Sequence, residues 1–305
     1  MQKLHFLISE EYENERLDRS LSELTDDTIS RSYLQKLIKD NQVSVNGKVQ
    51  KASYRLKDGD EVSFTVPDQV EPDILPEEMP LSVLYEDQDV IVINKPKGMV
   101  VHPAAGHFSH TLVNGLLYHC KDSLSGINGV LRPGIVHRID KDTTGSVIAC
   151  KNDHAHLSIA AQLKEHSITR KYRAICFGVL KEDEGTIDAP IGRDEKDRKK
   201  MAVNHKNGKR AVTHFKVLER FKDYTYIECR LETGRTHQIR VHMASIGHPL
   251  LGDEVYSSRK QPYHTDGQVL HAHVLGFIHP VSGEYIETIA PIPEYFSKLL
   301  EKLAK

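Results

Sequence analysis

The segment GIVHRIDKDTTGSVIAC, residues 134–150, contains a dense cluster of polar side chains between two apolar runs. It predicts a strand at 134–139, a turn at Asp142–Gly145 and a strand at 146–150, because Asp and Gly favour tight turns. The first strand would deliver three polar residues to the turn: His137, Arg138 and Asp140. A carboxylate in that position, beside a cation, is suited to act as a nucleophile or a base. A turn rich in Asp and Gly is also common with no chemical role.

The chain around this segment alternates irregularly between predicted strands and helices. Further strands are predicted at residues 171–180, 211–218 and 224–231. Helices are predicted at Asp153–His166, after Thr236 and after Pro293. Strands that follow one another without a crossover helix favour antiparallel pairing. The predicted fold class is therefore α+β, with a mixed, largely antiparallel central sheet and peripheral helices.

A second polar cluster lies in LETGRTHQIRVHMASIGHPLLGD, residues 231–253. Thr236 is expected to cap a helix that ends near Gly247. The start of that helix would present free amides, Arg235 and Arg240 in one direction, which is an arrangement suited to an anion. The anion is either an RNA phosphate or a carboxylate such as Asp140. A surface helix with scattered charges is the alternative interpretation.

The N-terminal part of the chain predicts a separate small domain over residues 1–66. Its leucines recur at helical spacing in two short segments, and Ser30 is positioned to cap the second. Alternating apolar residues near 43–49 and 62–66 predict a small sheet. Residues 67–80 contain four prolines, five acids and no base, which predicts an extended linker. The larger domain then covers residues 81–305.

Net charge gives a misleading first impression of the partners of this protein. The 305 residues carry 41 Lys and Arg against 43 Asp and Glu, a net charge of −2, and 39% are hydrophobic. The hydrophobic share excludes wholesale disorder. Residues 28–57 carry seven bases against Asp40 alone, and residues 81–305 carry 31 bases against 26 acids. Two positive units are thus offset by an acidic leader and linker, a pattern that permits nucleic-acid binding.

Several classes of site and segment are not expected. The four cysteines are far apart without a CxxC pair, which favours free thiols in a reducing compartment. No apolar run approaches the length of a membrane span, and no signal peptide is apparent. Three histidine pairs have no zinc-type partners, so no metal is predicted: His154 with His156, His237 with His242, and His271 with His273. Neither dinucleotide-binding nor Walker-type glycine loops occur.

The first domain resembles a known RNA-binding family. The segments SRSYLQKLI, VSVNG and LKDGD occur in order within residues 14–66, and this pattern is similar to the domain first seen in the fourth protein of the small ribosomal subunit. The resemblance implies an RNA partner and no chemistry of its own. The predicted RNA contacts are the basic residues of the second helix and the adjacent hairpin: Arg31, Lys36, Lys39, Lys48 and Lys51. A solvated basic face is the plainer alternative.

The larger domain resembles the RNA pseudouridine synthases of the RluA type. Matching motifs appear in order as NKPKGMVVHP (94–103), HRIDKDTTG (137–145), RKYRA (170–174), LETGRTHQIRVHMA (231–244) and GHPLLGD (247–253). The resemblance covers nearly all of residues 81–295. It implies conversion of uridine to pseudouridine in large-subunit ribosomal RNA, with no cofactor and no membrane partner. The protein is expected to be cytoplasmic and monomeric.

The resemblance also implies roles for individual residues. Asp140 is the catalytic aspartate, Tyr172 packs on the target base, and Arg240 pairs with the aspartate and is expected to keep it charged. Arg138 is the arginine that enters the space left by the flipped nucleotide. The remaining residues of the two motifs are predicted substrate contacts: His137, Thr144, Gly145, Arg235, Thr236, His237 and Gln238.

Two questions stay open at the level of sequence. Asp140 either attacks the ribose or removes a proton from it. The competing functions are a non-catalytic RNA-binding or ribosome-assembly factor, and a hydrolase using Asp140 and Asp142 as a carboxylate pair. The segment 193–210, with eight bases and three acids, is predicted to grip phosphates, or else is a solvated loop.

Overall fold

A computed structural model of the chain describes residues 2–25, 29, 31–66, 74–103, 107–129, 132–197 and 200–305. The chain divides into two compact units, Met1–Glu71 and Pro72–Lys305. The predicted cap Ser30 and the first half of the predicted linker, residues 67–73, lie outside the described residues.

The first unit packs two helices against a small antiparallel sheet. The strands are β1 (Gln2–Leu7), β2 (Val43–Val45), β3 (Lys48–Val49) and β4 (Glu61–Val66), in the order β1-β4-β2-β3. The helices are α1 (Leu17–Leu24) and α2 (Arg31–Lys39). The leucines at helical spacing form the core with Val43, Val62 and Phe64. The two helices and the hairpin follow the sequence prediction, whereas β1 was not predicted.

The second unit contains eleven strands and four α-helices within its described residues. The strands are β5 (Val83–Glu86), β6 (Val90–Lys95), β7 (Thr144–Cys150), β8 (Thr169–Phe177), β9 (Glu184–Asp188), β10 (Ile191–Arg193), β11 (Met201–Val203), β12 (Val212–Arg220), β13 (Tyr224–Leu231), β14 (Leu270–Ile278) and β15 (Tyr285–Ile289). The helices are α3 (Leu112–Cys120), α4 (Asp153–Lys164), α5 (Gln238–Ser245) and α6 (Glu294–Leu303).

A nine-stranded sheet organises this unit. Its strand order is β5-β6-β7-β14-β8-β13-β12-β9, with β15 also paired to β14. Only the contact between β7 and β14 is parallel among these pairs of described strands. Strands β10 and β11 form a separate antiparallel hairpin. The α+β prediction with a mixed, largely antiparallel sheet is confirmed.

Both faces of the sheet are buried, which explains why its central strands are continuously apolar. Along β6, Ile91 and Ile93 pack in the cluster that contains residues of α3 and α5, while Val90 and Val92 pack in the cluster of α4. A third cluster places Phe296 of α6 against strand β8. The sheet is therefore a rigid layer between helices, and the loops at its margins carry the polar motifs.

The predicted strand at 134–139 is wrong. These residues form a loop that makes only an isolated bridge, Ile135 with Ala149. Beyond Gly145 one edge of β7 is left free by β14, but residues 134–137 bond to it only at separate points, such as the Cys150 N–H, which donates to the Gly134 carbonyl at 2.8 Å. Side chains supply part of the missing bonding, since the Ile148 N–H donates to His137 Nε2 at 3.0 Å.

The second half of the predicted linker packs on the second unit. Residues 74–80 form neither helix nor strand, but Ile74 is buried in the core around α3. The side chain of Asn114 donates to the carbonyl of Leu75 at 2.9 Å, and the N–H of Glu77 donates to the carbonyl of Asn114 at 3.0 Å. An extended segment is therefore correct for these residues, although they belong to the second compact unit.

The helices begin and end close to the predicted positions. Helix α5 begins at Gln238 with His237 as its N-cap residue, so the predicted cap by Thr236 is wrong. Ile246, the C-cap residue of α5, is 39% exposed. Among the described residues, no helix is long and apolar enough to cross a membrane.

Candidate active site

Asp140 lies in the loop before β7, and buried contacts hold this loop in place. Its carbonyl accepts a hydrogen bond from the Thr143 N–H at 3.1 Å. Lys95, at the end of β6, is fully buried, and its Nζ donates to the carbonyls of Lys141, Pro96 and Met99, each at 2.9 Å. The carboxylate of Asp140 remains accessible, with 17% of its side chain exposed. The loop thus presents one carboxylate from a firmly anchored backbone.

Arg240 of α5 bridges Asp140 and a second carboxylate. Its Nη1 donates to Asp140 Oδ2 at 3.0 Å. Its Nε and Nη2 donate to the two oxygens of Asp253 at 2.7 and 3.0 Å. Burial works against the charge on Arg240, but the hydrogen bonds and charges of Asp253 and Asp140 prevail and raise the pKa of Arg240. A permanent positive charge therefore faces the carboxylate of Asp140, as the sequence predicted.

His237 approaches Asp140 from the start of α5. Its backbone is left-handed, with φ of 56°, which is uncommon for a residue with a side chain. The Nε2 atom lies 3.8 Å from Asp140 Oδ1, and Nδ1 hydrogen-bonds to the Tyr256 hydroxyl at 2.7 Å. Burial lowers the pKa of His237, and Asp140 acts in the opposite direction. The unusual turn therefore directs this imidazole towards the carboxylate of Asp140.

Gln238 holds that turn together from inside. It is buried, and its Oε1 accepts hydrogen bonds from the Thr233 hydroxyl at 2.8 Å and the Arg235 N–H at 2.9 Å. Its Nε2 donates to the Val212 carbonyl at 2.9 Å. Thr236 is exposed and lines neither cavity of the site. Arg235, His237 and Gln238 of this motif all line the smaller cavity described below, and the buried Gln238 also supports the turn.

A cavity of about 490 Å³ opens beside Asp140 and has the dimensions of a small-ligand site. Its apolar walls include Tyr172, Leu231, Ile239 and Leu270, and its polar groups include Asp140 and Arg240. Tyr172 is 7% exposed, and burial raises the pKa of its hydroxyl. A planar apolar molecule in this cavity would lie between Tyr172 and the Asp140–Arg240 pair.

A second, larger cavity of about 890 Å³ shares a wall with the first. Arg138, Ile139 and Asp140 line both cavities. Arg138 is exposed, whereas Ile139 is 6% exposed and anchors the loop. The larger cavity also contains Lys141, His102 and the loop 261–268. An extended chain entering the smaller cavity would therefore pass the guanidinium of Arg138.

Comparisons with known proteins show the family to which this chain belongs. The family described as RNA pseudouridylate synthase matches residues 89–245, and the S4 domain matches residues 28–62. The chain belongs to the RNA pseudouridine synthase family. A Bacillus subtilis protein named uncharacterized RNA pseudouridine synthase YlyB is 56% identical over 305 residues, covering 100% of this chain and 99% of that protein.

Other relatives and a solved structure extend the similarity. The ribosomal large subunit pseudouridine synthase D of Zymomonas mobilis is 47% identical, covering 97% of this chain and 96% of that protein. The structure of human RNA pseudouridylate synthase domain containing 1 has a TM-score of 0.57 and 25% identity, and covers 75% of this chain and 97% of that one. The predicted enzyme class, an RNA pseudouridine synthase with an RNA-binding domain of the S4 type, is confirmed.

Thr144 and Gly145 of the synthase occupy structural positions in β7. The Thr144 hydroxyl hydrogen-bonds to His271 Nδ1 at 2.8 Å. At Gly145, φ is +106° and an added Cβ would lie 2.2 Å from the Ala272 carbonyl oxygen, so only glycine permits the approach of β14. Neither residue lines the two cavities, and their direct contact with the substrate stays a prediction. His137 lines the smaller cavity while accepting the Ile148 N–H.

The predicted RNA contacts of the S4 domain lie on its surface. Lys36, Lys39, Lys48 and Lys51 are all exposed. Arg31 differs, because its guanidinium binds the fully buried carboxylate of Asp18 at 2.9 Å. Burial opposes ionisation of Asp18, but hydrogen bonds from Arg16, Gln35 and Arg31 outweigh it and lower the pKa of Asp18 to about 2. Arg31 therefore has a structural partner in addition to its predicted RNA contact.

One group of possible metal ligands occurs within the described part of the synthase, and it is remote from Asp140 in the chain. Asp87, Asp89 and His279 offer ligand atoms within 4.8 Å of one another. His279 Nε2 hydrogen-bonds to Asp87 Oδ2 at 2.8 Å, while Asp87 Oδ1 accepts the Asp89 N–H at 2.8 Å. These contacts form a hydrogen-bonded turn. The three histidine pairs weighed from the sequence contribute no such group.

Sequence reasoning missed four residues that shape this site. Asp253 is the last residue of the GHPLLGD motif, where a lone acid in an apolar run was a usable signal, and Tyr256 follows three residues later. Lys95 lies in the NKPKG motif, and its burial could not be read from the residues alone. Burial lowers its pKa to about 7, although Asp142 and Asp140 act in the opposite direction. Arg170 lines the smaller cavity next to Tyr172 on β8.

Proposed function

We propose that this synthase converts specific uridines of large-subunit ribosomal RNA to pseudouridine, with Asp140 as the catalytic residue. The observation that carries this proposal is the hydrogen-bonded Asp140–Arg240 pair beside a cavity walled by Tyr172. Relatives named ribosomal large subunit pseudouridine synthase D, such as that of Pasteurella multocida at 44% identity over 302 residues, support the choice of RNA.

The reaction breaks the bond between the ribose C1′ and the uracil N1, rotates the base and rejoins it through C5. Asp140 either attacks C1′ or removes the proton from C2′, and both routes need an ionised carboxylate. Arg240 supplies the neighbouring positive charge that favours this state. Tyr172 forms a flat apolar wall for the uracil. No redox change and no group donor are involved, so the reaction needs no cofactor.

A uridine must leave its stack to reach Asp140, which costs a few kcal/mol for a paired base. The exposed guanidinium of Arg138 lies where the two cavities meet. We assign to Arg138 the task of occupying the space that the uridine vacates. This role offsets part of the cost of unstacking, and it requires no contact with the reacting atoms.

Phosphate binding is assigned to two basic surfaces, one on each unit. The exposed lysines of the S4 domain, Lys36, Lys39, Lys48 and Lys51, form the first. The second is the hairpin β10–β11 and its continuation, where Lys196, Lys206, Lys209 and Arg210 are exposed. Both would bind the RNA backbone with little regard to sequence and with a strong dependence on salt.

A tritium-release assay tests the proposal. Large-subunit RNA labelled at C5 of uridine, from cells that lack the protein, should release tritium with the wild type and not with Asp140→Asn. Mapping of pseudouridines with and without the protein then identifies the sites. Absence of release with wild type would favour a non-catalytic RNA-binding factor. Loss of release with Asp142→Asn but not with Asp140→Asn would also reject the assignment.

A further inference from the structure

Arg170 is a buried arginine without a carboxylate partner, and it lies in the wall of the catalytic cavity. It is 7% exposed and lines the same cavity as Tyr172 and Asp140. Its Nη2 donates to the Glu232 carbonyl at 3.1 Å, whereas its Nε has no hydrogen-bond partner. Among the described residues, no Asp or Glu forms an ion pair with it.

Two other arginines, one in the same cavity and one on the same strand, have the carboxylate partners that Arg170 lacks. Arg240 is bonded to both Asp140 and Asp253, and Arg173 on the same strand as Arg170 pairs with Glu228 at 3.1 Å. A buried cation without an opposite charge is costly, and a buried polar atom without a partner calls for an explanation. Burial lowers the pKa of Arg170, but a guanidinium remains charged in proteins. The chain therefore maintains an uncompensated positive charge in this wall.

Two features of the sequence place Arg170 there. Residues 170 and 172 point to one face of β8 because side chains alternate along a strand, so the guanidinium is a neighbour of the Tyr172 ring. Gly234 packs directly against it, since an added Cβ at this glycine would lie 2.6 Å from Arg170 Nη1. The glycine that precedes Arg235 thus makes room for a guanidinium contributed by another strand.

The reaction creates a negative charge that matches this position. When the C1′–N1 bond breaks, its electron pair passes to the uracil, which becomes an anion spread over N1, O2 and O4. This holds if Asp140 forms a bond to C1′, and it holds if Asp140 takes the C2′ proton and a C1′–C2′ double bond forms. The anion then attacks C1′ through C5. In the first route this attack displaces the Asp140 carboxylate from C1′, and in the second route Asp140 returns its proton to C2′. C5 then loses its proton, and N1 gains one.

We propose that Arg170 is a catalytic residue that stabilises the uracil anion while the base is detached and rotates. The inference rests on the proposed function and assigns a new residue to it. The exposed cations at the cavity margin, Lys164 and Arg138, are placed for phosphates, whereas Arg170 lies too deep for the RNA backbone. Removing a donor that faces a developing anion typically slows a reaction by about 10²–10³-fold.

Single-turnover kinetics of Arg170→Gln test this role, with Arg173→Gln as the control from the same strand. We expect Arg170→Gln to slow pseudouridine formation by about 100-fold, with RNA affinity nearly unchanged. Arg170→Lys should keep part of the rate because it keeps the charge. The thermal midpoint of Arg170→Gln should not fall, because the variant removes an unpaired buried charge. Arg173→Gln should keep the wild-type rate.

A substrate with a better leaving group distinguishes a catalytic role of Arg170 from a purely structural one. Fluorine at C5 stabilises the uracil anion, so RNA carrying 5-fluorouridine at the target should lose less rate than uridine RNA when Arg170 is replaced. Loss of the original nucleoside, followed by digestion and chromatography, gives the rate. Equal losses on both RNAs, or an unchanged rate with uridine, would overturn the role of Arg170.

Two further controls keep the outcome decisive. If Arg170→Gln does not fold, the comparison of the two RNAs is made with Arg170→Lys, whose larger loss on uridine would support the proposal and whose equal losses would reject it. A wild-type enzyme that forms no pseudouridine from any ribosomal RNA would contradict the proposed function itself. That result is distinguishable, because the Arg170 experiments require an active wild type.

Discussion

Asp253 holds the guanidinium of Arg240 through two hydrogen bonds of 2.7 and 3.0 Å, which leaves Nη1 of Arg240 directed at Asp140. Asp253 is fully buried and also accepts the N–H groups of Val255 and Tyr256, at 3.0 and 3.1 Å. The orientation of Arg240 is thus set by an acid that does not line the smaller cavity, the one that contains Tyr172.

We expect Asp253→Asn to lower kcat by at least about tenfold, because an amide can accept only one of the two bonds from Arg240 and carries no charge. The melting temperature should also fall, since breaking one side of a buried ion pair typically costs about 3–5 kcal/mol. Asp266→Asn is the matched control, because Asp266 lines the larger cavity but is 76% exposed. A kcat equal to that of the wild type would show that Asp253 does not orient Arg240.

Tyr256 supports the other group that faces Asp140. Its hydroxyl accepts the Met201 N–H at 3.0 Å and bonds to His237 Nδ1, and its ring lies 5.0 Å from the Arg240 guanidinium. We expect Tyr256→Phe to lower kcat more than it raises KM, since the ring stays while His237 loses its anchor. In a His237→Ala background the same substitution should have little further effect on kcat. Additive losses in the double variant would mean that Tyr256 acts by another route.

Arg138→Ala is expected to impair modification of uridines within duplexes more than of unpaired uridines, because only the former must leave a stack. Single-turnover rates on two short RNAs that present one target sequence, either paired or single-stranded, give the comparison. Lys141→Ala is a suitable control, as Lys141 is an exposed cation on the same loop. Equal losses on both RNAs would remove the base-flipping role from Arg138.

How far the sequence predicts this site depends on how far apart along the chain the contacting residues are. Motif resemblance identified Asp140 and Arg240 as partners although they are 100 positions apart. The strand at 134–139 was mispredicted because a local apolar pattern does not reveal that these residues bond to β7 only at separate points, such as Gly134 with Cys150. The unpaired state of Arg170 is likewise a property of packing between distant segments. The composition of the sequence and the spacing of its motifs do not predict which buried charged side chains lack a partner.

The buried amine of Lys95 should make stability depend on alkaline pH. Its pKa in the folded chain is about 7, against an ordinary value of 10.5. Below pH 7 both folded and unfolded states bind the proton, whereas between pH 7 and 10.5 the unfolded state binds more. The free energy of unfolding should therefore rise with pH in that window, by up to about 1.4 kcal/mol per pH unit from this group.

Denaturant unfolding of the wild type and Lys95→Met at pH 7 and pH 9 measures this contribution. The wild type should gain stability relative to the variant as pH rises. Lys97→Met provides a comparison, since burial lowers the pKa of Lys97 only to about 8 and its window should open one pH unit higher. A difference between wild type and Lys95→Met that does not change with pH would contradict the expected titration.

Gly145→Ala tests whether the glycine of HRIDKDTTG serves the sheet and not the substrate. The added Cβ would lie 2.2 Å from the carbonyl oxygen and 2.8 Å from the nitrogen of Ala272, and backbone atoms of a central strand have little freedom to move. Gly283→Ala is the matched control, because Gly283 also has positive φ, +71°, with nothing within 4 Å of the added atom. The free energy of unfolding of the control should fall by about 1–2 kcal/mol from backbone strain alone.

We expect Gly145→Ala to lower the free energy of unfolding substantially more than Gly283→Ala does, because β7 and β14 would have to separate at their parallel contact. Urea unfolding of the full chain gives both losses, and RNA binding by the folded fraction shows whether substrate contact changes. Equal losses of stability for the two variants, together with weaker RNA binding for Gly145→Ala, would support the direct substrate contact that the motif predicts for Gly145. Because β14 also pairs with β8, which carries Tyr172 and Arg170, a separation at Gly145 should further reduce kcat in whatever protein remains folded.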